Sequence, residues 1–508
     1  MDALLRLSIP DLVERVRTGQ VSAEEVTRAS LARSTETRSL GAFLHLAHEA
    51  ALGSARAIDA RRARGEQLGP LAGVPIGIKD ALCTVDAPTT AASRILMRRP
   101  DADLDDPDAG AWRPPYDATV VERLRAADAV LVGKTNLDEF AMGSSNENSS
   151  FFPARNPWDP TRTPGGSSGG SAVAVACGAA LGSLGSDTGG SIRQPAGLCG
   201  IVGLKPSYGR VSRYGLIAFA SSLDQVGPFA RDVRGAARLL EVIAGPDGRD
   251  STCVARPVGA YEAACGRPVR GLRIGVPREY FAEGLDPELG LAARAAIATL
   301  GQLGAEIREV DLPHTRYGVS TYYLIANAEA ASNLSRFDGV RFGLRVDGSR
   351  PDIHAMYRAT RGRGFGTEVK RRIMLGTYAL SAGYYDAYYE KAQRVRTLIL
   401  RDFERAFQHV DVLATPISPT PAFKLGERVS DPLAMYLSDI YTLPASLAGL
   451  CGLTLPIGTT APRPDRPALP IGLQFLAPAF GEETLLAAAF ASESARGALA
   501  TPPELTPS

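Results

Sequence analysis

The stretch that decides the fold covers residues 164–193 and reads P-G-G-S-S-G-G-S-A-V-A-V-A-C-G-A-A-L-G-S-L-G-S-D-T-G-G-S-I-R. Two glycine-serine clusters, at 165–171 and 185–191, enclose an apolar run at 172–184. This pattern predicts a loop, a buried element and a second loop. Glycine lets backbone approach a ligand closely, and successive unhindered N–H groups can form a concavity that binds an anion. Such loops could stabilise an oxyanion.

The polar residues of this stretch indicate which chemistry it could carry. Asp187 is its only acid or base before Arg193, so serine is the candidate nucleophile and the activating base must come from elsewhere in the chain. A flexible glycine-serine linker would lack the buried apolar centre. A nucleotide phosphate loop would need a Gly-Lys-Ser/Thr string, which both clusters lack.

Three strings resemble the amidase-signature family: G-G-S-S-G-G-S at 165–171, G-S-D-T-G-G-S-I-R at 185–193 and A-G-V-P-I-G-I-K-D at 72–80. The resemblance implies an α/β fold, with one large domain over residues 1–508 and a mixed central β-sheet covered by helices on both faces. It also implies a Ser–cis-Ser–Lys triad, with Ser191 as nucleophile, Ser167 as the bridging serine after a cis peptide, and Lys79 as base. The matching oxyanion donors are the backbone N–H groups of Ser191 and of the three residues before it: Thr188, Gly189 and Gly190.

The composition limits the possible functions of the chain. Its 508 residues carry 56 basic and 55 acidic side chains, a net charge of +1, so there is no overall electrostatic signature of nucleic-acid binding. If RNA is involved, another subunit is expected to hold most of it. The hydrophobic share of 45% and the charged share of 22% are ordinary for a globular enzyme.

The cysteines and the N-terminal residues indicate in which cellular compartment the protein is expected. Six cysteines are scattered without a C-x-x-C pair, which predicts neither a zinc site nor a disulfide framework. Charged residues at 6, 11, 14 and 15 interrupt any apolar signal region, and no run of 18 apolar residues exists. We therefore expect a soluble, cytoplasmic protein that binds no metal and no cofactor of its own and no membrane.

Hydrophobic periodicity predicts the order of the elements. Residues 1–65 are expected to form a helical segment, in which Ser22 and Glu25 make a capping-box pattern. Alternation at 71–79 predicts a strand ending at Lys79, within a catalytic core at 66–230. Residues 316–409 are expected to form a mostly helical layer over the site, after which strands and a final helix rejoin the sheet.

An acidic, proline-bearing segment at 98–113 reads R-R-P-D-A-D-L-D-D-P-D-A-G-A-W-R. This composition is typical of a flexible surface loop. The segment resembles an insertion relative to the family pattern, which normally passes directly to the P-P-Y-D-A-T-V-V string found here at 114–121. The sequence assigns it no role.

Within the family, three further stretches resemble the A subunits of tRNA-dependent amidotransferases. They lie around Tyr322 and Tyr323, from Glu368 to about 389, and from Ser438 to about 450. The resemblance implies that this chain releases ammonia from glutamine. A partner B subunit would use ATP and Mg²⁺ to amidate Glu-tRNA(Gln) or Asp-tRNA(Asn), and a small C subunit would brace a heterotrimer in which the charged tRNA is bound mainly by the partner.

The same resemblance implies the glutamine-binding residues. Arg372 and Asp439 would bind the α-carboxylate and the α-ammonium, which are complementary to their charges. A tyrosine also contributes, and the sequence leaves open whether it is Tyr322 or Tyr323. The expected reaction is acyl transfer, in which neutral Lys79 activates Ser191 through Ser167. The five histidines lie outside these motifs, which disfavours a Ser-His-Asp triad.

Two alternatives remain open. The first keeps the chemistry and changes the substrate, as in a free-standing amidase acting on small amides. The second is a catalytically inactive chain that serves only in assembly, against which the intact Lys79, Ser167 and Ser191 argue. The sequence does not say which misacylated tRNA is served.

Overall fold

An eleven-stranded mixed β-sheet organises the computed structural model, which describes residues 3–99, 110–347, 352–497 and 501–502. The order across the sheet is β1-β3-β2-β4-β6-β5-β10-β11-β9-β7-β8. The strands are β1 Phe43–Leu46, β2 Pro75–Lys79, β3 Val130–Thr135, β4 Gly182–Asp187, β5 Val202–Lys205, β6 Gln225–Ala230, β7 Arg273–Pro277, β8 Glu306–Val310, β9 Val412–Pro416, β10 Cys451–Thr459 and β11 Pro470–Ala477.

Both kinds of strand pairing occur in this sheet. β2 pairs in parallel with β3 and β4, and β7 pairs in parallel with β8 and β9, whereas β10 and β11 run antiparallel to each other and to their outer neighbours. The expectation of a large mixed sheet in an α/β fold is confirmed. β2 and β4 are fully buried central strands, as parallel strands covered on both faces are.

Helices pack along the sheet and its edges. They are α1 Ile9–Arg17, α2 Ala23–Glu36, α3 His48–Ala63, α4 Thr119–Ala126, α5 Gly169–Ala176, α6 Arg193–Cys199, α7 Val233–Ile243, α8 Tyr261–Ala264, α9 Pro287–Gln302, α10 Gly318–Asn333, α11 Ile353–Gly364, α12 Thr367–Ala379, α13 Lys391–His409, α14 Pro432–Leu437, α15 Leu443–Leu447 and α16 Glu482–Arg496. A π-helical turn at Asp386–Glu390 precedes α13.

The N-terminal segment is helical, as its periodicity predicts, with one exception. Ser22 caps α2 in a capping box, in which its side chain accepts from Glu25 N and the Glu25 carboxylate accepts from Ser22 N. The exception is β1, a strand of four residues that pairs antiparallel with β3 at the edge of the sheet. Strand pairing, rather than local preference, decides so short an element.

The apolar run at 172–184 divides into two elements. α5 takes its first part, and β4 begins at Gly182 after a turn in which Gly178 has a φ of +78°. Helix α5 follows one glycine-serine cluster directly, and strand β4 leads into the other. The two clusters therefore meet at one end of the central strands.

Four helices, α10 to α13, lie in the region 318–409 and carry three of the residues expected to bind substrate. The acidic segment lies largely outside the described residues, but its ends are fixed. Arg98 N donates to Gly110 O, and Trp112 is hydrogen-bonded to Leu96 and Thr89 and packs against Phe342. The expected flexible loop is therefore wrong for Trp112. No helix in the described part of the chain has the length and apolar character of a membrane span.

Candidate active site

Lys79 ends β2 in the interior of the protein, with no exposed surface. Its Nζ donates to Ser167 Oγ at 2.8 Å, to Ser168 Oγ at 2.8 Å and to Ser186 Oγ at 2.9 Å. Burial lowers the pKa of Lys79 to about 7, although the carboxylates of Asp138, Asp187 and Asp224 act in the opposite direction. A substantial neutral fraction is therefore available near pH 7. Sequence reasoning missed the contacts with Ser168 and Ser186, although both serines lie inside the two glycine-serine clusters.

The first glycine-serine cluster is a tight turn before α5. The peptide bond between Gly166 and Ser167 is cis, as the family resemblance implies. A Cβ atom on Gly166 would overlap Asp138 Oδ2, so no larger residue fits there. Ser167 O accepts a hydrogen bond from Asp138 N at 3.1 Å, which ties the turn to the segment after β3.

The second cluster follows β4 and carries Ser191, which is buried except for 7% of its surface. Ser191 O accepts from Ser168 N at 3.2 Å, so the two clusters are hydrogen-bonded to each other. This contact is made by Ser168, the residue that follows Ser167, and Ser167 in turn contacts Lys79. The three residues expected to form the triad thus lie together, although 112 positions separate Lys79 from Ser191 in the sequence.

Asp187 organises the second cluster internally. Its carboxylate accepts two hydrogen bonds from the buried Arg193 guanidinium, each 3.0 Å long, and another from Gly190 N at 2.8 Å. Burial disfavours the charge, but Arg193 holds the pKa of Asp187 below its usual value. Because Gly190 N–H is engaged by Asp187, it is not presented to a ligand in this conformation. The expectation that Gly190 donates to an oxyanion needs this hydrogen bond to break.

A further buried carboxylate, that of Asp224, fixes the start of the same loop. Asp224 Oδ1 accepts from Thr188 Oγ1 at 2.7 Å, and Oδ2 accepts from the backbone N–H groups of Phe219 and Ala220. Burial raises the pKa of Asp224 to about 6. Asp224 therefore connects Thr188 with the turn at Phe219, whose ring lies 5.6 Å from the Arg372 guanidinium carbon. Sequence reasoning missed this residue.

Arg372 is buried on α12 and packs among aromatic rings. Its guanidinium carbon lies 5.0 Å from the centre of the Tyr323 ring and 5.5 Å from that of Tyr436, and Nε donates to Glu368 Oε1 at 2.8 Å. Glu368 and Tyr436 were missed by the sequence reasoning. Glu368 could have been found, because a glutamate four residues before an arginine on a helix is a common ion-pair spacing.

The two tyrosines take different positions. A Cβ atom on Gly189 would lie 2.9 Å from Tyr322 Oη, so the Tyr322 hydroxyl touches the loop that leads to Ser191. Tyr323 instead stacks on Tyr436, with ring centres 3.8 Å apart, and lies against Arg372. Tyr322 is thus the tyrosine beside the nucleophile loop, and Tyr323 contacts the arginine.

Asp439 lies between α14 and α15, with 7% of its surface exposed, and is linked to this loop through Thr442, which is hydrogen-bonded to both Asp439 O and Gly189 O. Its carboxylate accepts a hydrogen bond from Ser144 Oγ. Burial raises the pKa of Asp439 to about 7, while the hydrogen bond and the positive charge of Arg372 act in the opposite direction. The structure thus places a buried cation and a buried acid around the loop of Ser191. Nothing in the sequence around Ser144 identified it.

The comparisons with known proteins agree with this geometry. The family model described as Amidase matches residues 25–486, and the chain belongs to that family. It is 58% identical to the A subunit of the glutamyl-tRNA(Gln) amidotransferase of Moorella thermoacetica over 492 residues, which are 96% of each chain. It is 57% identical to the protein of the same name from Myxococcus xanthus, with coverage of 96% of this chain and 97% of the relative.

Solved structures give the same result. The A subunit of the glutamyl-tRNA(Gln) amidotransferase of Thermotoga maritima superposes with a TM-score of 0.78 at 39% identity, with 99% of each chain covered. The peptide amidase of Stenotrophomonas maltophilia superposes with a TM-score of 0.80 at 30% identity, with 98% of each chain covered. Within the described residues, no group of three or more His, Cys, Asp or Glu side chains is arranged to hold a metal ion.

Proposed function

We propose that this chain is the glutaminase component of a tRNA-dependent amidotransferase. The observation that carries the proposal is the pairing of Lys79 and Ser167 beside the Ser191 loop, with Arg372 and Asp439 arranged around the same loop. The similarity to the amidotransferase A subunits of two bacteria extends over nearly the full length of the chain and supports the same assignment. The substrate is glutamine, and the product needed downstream is ammonia.

The chemistry is acyl transfer through a serine ester. Neutral Lys79 takes a proton from Ser167 Oγ, which takes one from Ser191 Oγ, and Ser191 attacks the side-chain amide carbon of glutamine. The C–N bond then breaks, and the same relay returns the proton to the departing ammonia. Water attacks the glutamyl ester in the second half, with Lys79 and Ser167 accepting its proton, and glutamate leaves.

The oxyanion forms next to backbone N–H groups of the second cluster. The proposed donors are Thr188, Gly189 and Ser191, whereas Gly190 N–H is engaged by Asp187. A single oxyanion donor commonly contributes about 3–4 kcal/mol to transition-state stabilisation. Asp187 and Asp224 keep the loop in place, because each accepts hydrogen bonds from it.

Glutamine is recognised by its two α-substituents. Arg372 binds the α-carboxylate, and the ionised Asp439 binds the α-ammonium. Glu368 and the rings of Tyr323 and Tyr436 orient the guanidinium of Arg372. Tyr322 closes the pocket next to Gly189.

The proposed partners are those that the resemblance to amidotransferase A subunits implies. A B subunit uses ATP and Mg²⁺ to activate Glu-tRNA(Gln), Asp-tRNA(Asn) or both, and accepts the ammonia; a small C subunit holds the two together. The net charge of +1 fits a chain that leaves most of the tRNA to its partner. The proposal assigns ATP to the partner and to no residue of this chain.

The test is ammonia release, measured for the purified chain and for the chain co-expressed with B and C subunits. Glutamine hydrolysis should rise when the partners, ATP and charged tRNA are present, and the three chains should co-purify. Butyramide, which is glutamine without its two α-charges, serves as the control substrate. A chain that purifies alone, ignores its partners and prefers butyramide is a free-standing amidase, and the proposal is then wrong.

A further inference from the structure

The peptide group between Gly189 and Gly190 is held at both ends, just before Ser191. Gly189 O accepts a hydrogen bond from Thr442 Oγ1 at 2.5 Å, while Gly190 N donates to Asp187 Oδ1 at 2.8 Å. A Cβ atom on Gly190, whose φ is +140°, would overlap Thr442 Oγ1. Thr442 therefore holds this peptide in the orientation in which Gly190 N–H is bonded to Asp187.

Thr442 is also bonded to the residue proposed to bind the α-ammonium. Thr442 N donates to Asp439 O at 2.9 Å, and Thr442 Oγ1 lies 3.0 Å from the same oxygen. A threonine hydroxyl has one proton, so it is shared between Asp439 O and Gly189 O. This one buried side chain connects the Asp439 turn to the nucleophile loop.

We infer, on the basis of the function proposed above, that Thr442 is a positioning residue that couples the α-ammonium subsite to the loop carrying Ser191. When glutamine engages Asp439, the turn is fixed, and the Thr442 hydroxyl holds Gly189 O in the arrangement that attack by Ser191 needs. An amide without an α-ammonium group does not engage this link. Part of the preference for glutamine then arises in kcat rather than in KM.

The Thr442 hydroxyl can be removed without detaching its segment. Arg193 Nη1 donates to Thr442 O at 3.1 Å, and Arg193 Nη2 donates to Ser446 Oγ at 2.8 Å, and both bonds survive a change in the Thr442 side chain. Thr442→Val has nearly the same shape, with a methyl group in place of the hydroxyl. The matched control is Thr454→Val on β10, because Thr454 is equally buried and its hydroxyl has no hydrogen-bond partner among the described residues.

The experiment compares kcat and KM for glutamine and butyramide in the parent chain, Thr442→Val, Thr442→Ser and Thr454→Val. For glutamine, kcat should fall roughly 10- to 100-fold in Thr442→Val. This is more than the loss of one ordinary hydrogen bond causes and less than the loss of an oxyanion donor causes. KM should change little, and Thr442→Ser should restore most of the rate. The butyramide rate should fall less than the glutamine rate, and Thr454→Val should match the parent.

A double-mutant cycle tests the coupling itself. If Thr442 acts through Asp439, the losses in Asp439→Asn and Thr442→Val should not multiply in the double variant on glutamine. Multiplying losses, equal losses on both substrates, or a Thr442→Val enzyme whose glutamine kcat matches that of the parent would each overturn the coupling. If Thr442→Val does not fold, Thr442→Ser against Thr442→Cys gives the same comparison, since a thiol is a weak donor. A parent inactive on glutamine would instead overturn the proposed function.

Discussion

Lys79 Nζ lies 2.8 Å from Ser167 Oγ, at the end of a central strand where the lysine has no exposed surface. A protonated ammonium in such a place would be costly, and this cost lowers the pKa of Lys79 to about 7. The carboxylates of Asp138, Asp187 and Asp224 keep the pKa from falling further. The lysine is thus suited to exchange a proton with Ser167 near neutral pH.

The first prediction concerns the protonation state of Lys79. Lys79 must be neutral to act as a base, so kcat/KM should fall as the pH drops through about 7, close to tenfold for each unit below it. Butyramide is the substrate to use, because Asp439, whose pKa is also about 7, does not take part in its binding. Lys79→Arg should be inactive at every pH, since arginine keeps its proton.

The activity of Lys79→Arg can contradict the assignment of Lys79 as the base. An arginine variant with appreciable activity would show that the charge at position 79 matters and its basicity does not. A thermal unfolding curve of the same variant shows whether it is still folded.

The second prediction concerns the nucleophile. Ser191→Ala should abolish ammonia release while stability changes by no more than about 0.5 kcal/mol, because a small residue on a loop is replaced by a smaller one. Mass spectrometry of the parent, quenched during turnover, should find the glutamyl group on Ser191. Acylation of any other residue would transfer the nucleophile's role to that residue.

Much of the fold follows from the sequence, and the limits have physical causes. Long amphipathic helices and buried strands are signalled by periodicity, but β1 has four residues and exists because β3 offers it a pairing edge. The small-residue run at 172–184 has no strong period, so its division between α5 and β4 is decided by packing.

For the site, the motifs that resemble the family contain Lys79, Ser167 and Ser191, and the parallel pairing of β2 with β4 explains why they meet. Residues that act on other residues leave weaker signals. Ser144 and Asp224 lie outside the motifs, and Thr442, although it lies in the stretch that begins at Ser438, carries no sequence sign of its bond to Gly189. The engagement of Gly190 by Asp187 is likewise a property of the folded loop alone.

The third prediction concerns the acidic segment. Replacing residues 99–109 by two glycines should leave basal glutamine turnover unchanged, because Arg98 and Gly110 are already hydrogen-bonded and a short connection can join them. The matched comparison is Trp112→Ala, which removes a side chain packed on Phe342 and should lower the melting temperature. A large loss of turnover in the deletion variant would show that the segment supports the site.

The last prediction concerns specificity, through the two groups that would bind the charges of glutamine. Removing the side chain of Arg372 or Asp439 leaves one charge of bound glutamine unpaired in a buried pocket. This should cost about 2–5 kcal/mol, by analogy with truncated charge pairs at interfaces. In Arg372→Ala, Glu368 loses its buried cationic partner and keeps Arg371 and Tyr436, so that variant should also be less stable, whereas Asp439→Ala loses mainly the contact with Ser144.

If Arg372 and Asp439 bind glutamine, their loss should affect glutamine and butyramide differently. Turnover of glutamine should fall steeply in both variants, while butyramide should react about as well, or as poorly, as with the parent, because Lys79, Ser167 and Ser191 are untouched. Measuring kcat/KM for both substrates separates a role in binding glutamine from a role in supporting the loop. Equal losses would mean that Arg372 and Asp439 support the loop rather than the substrate, and the preference for glutamine would then have to come from other residues.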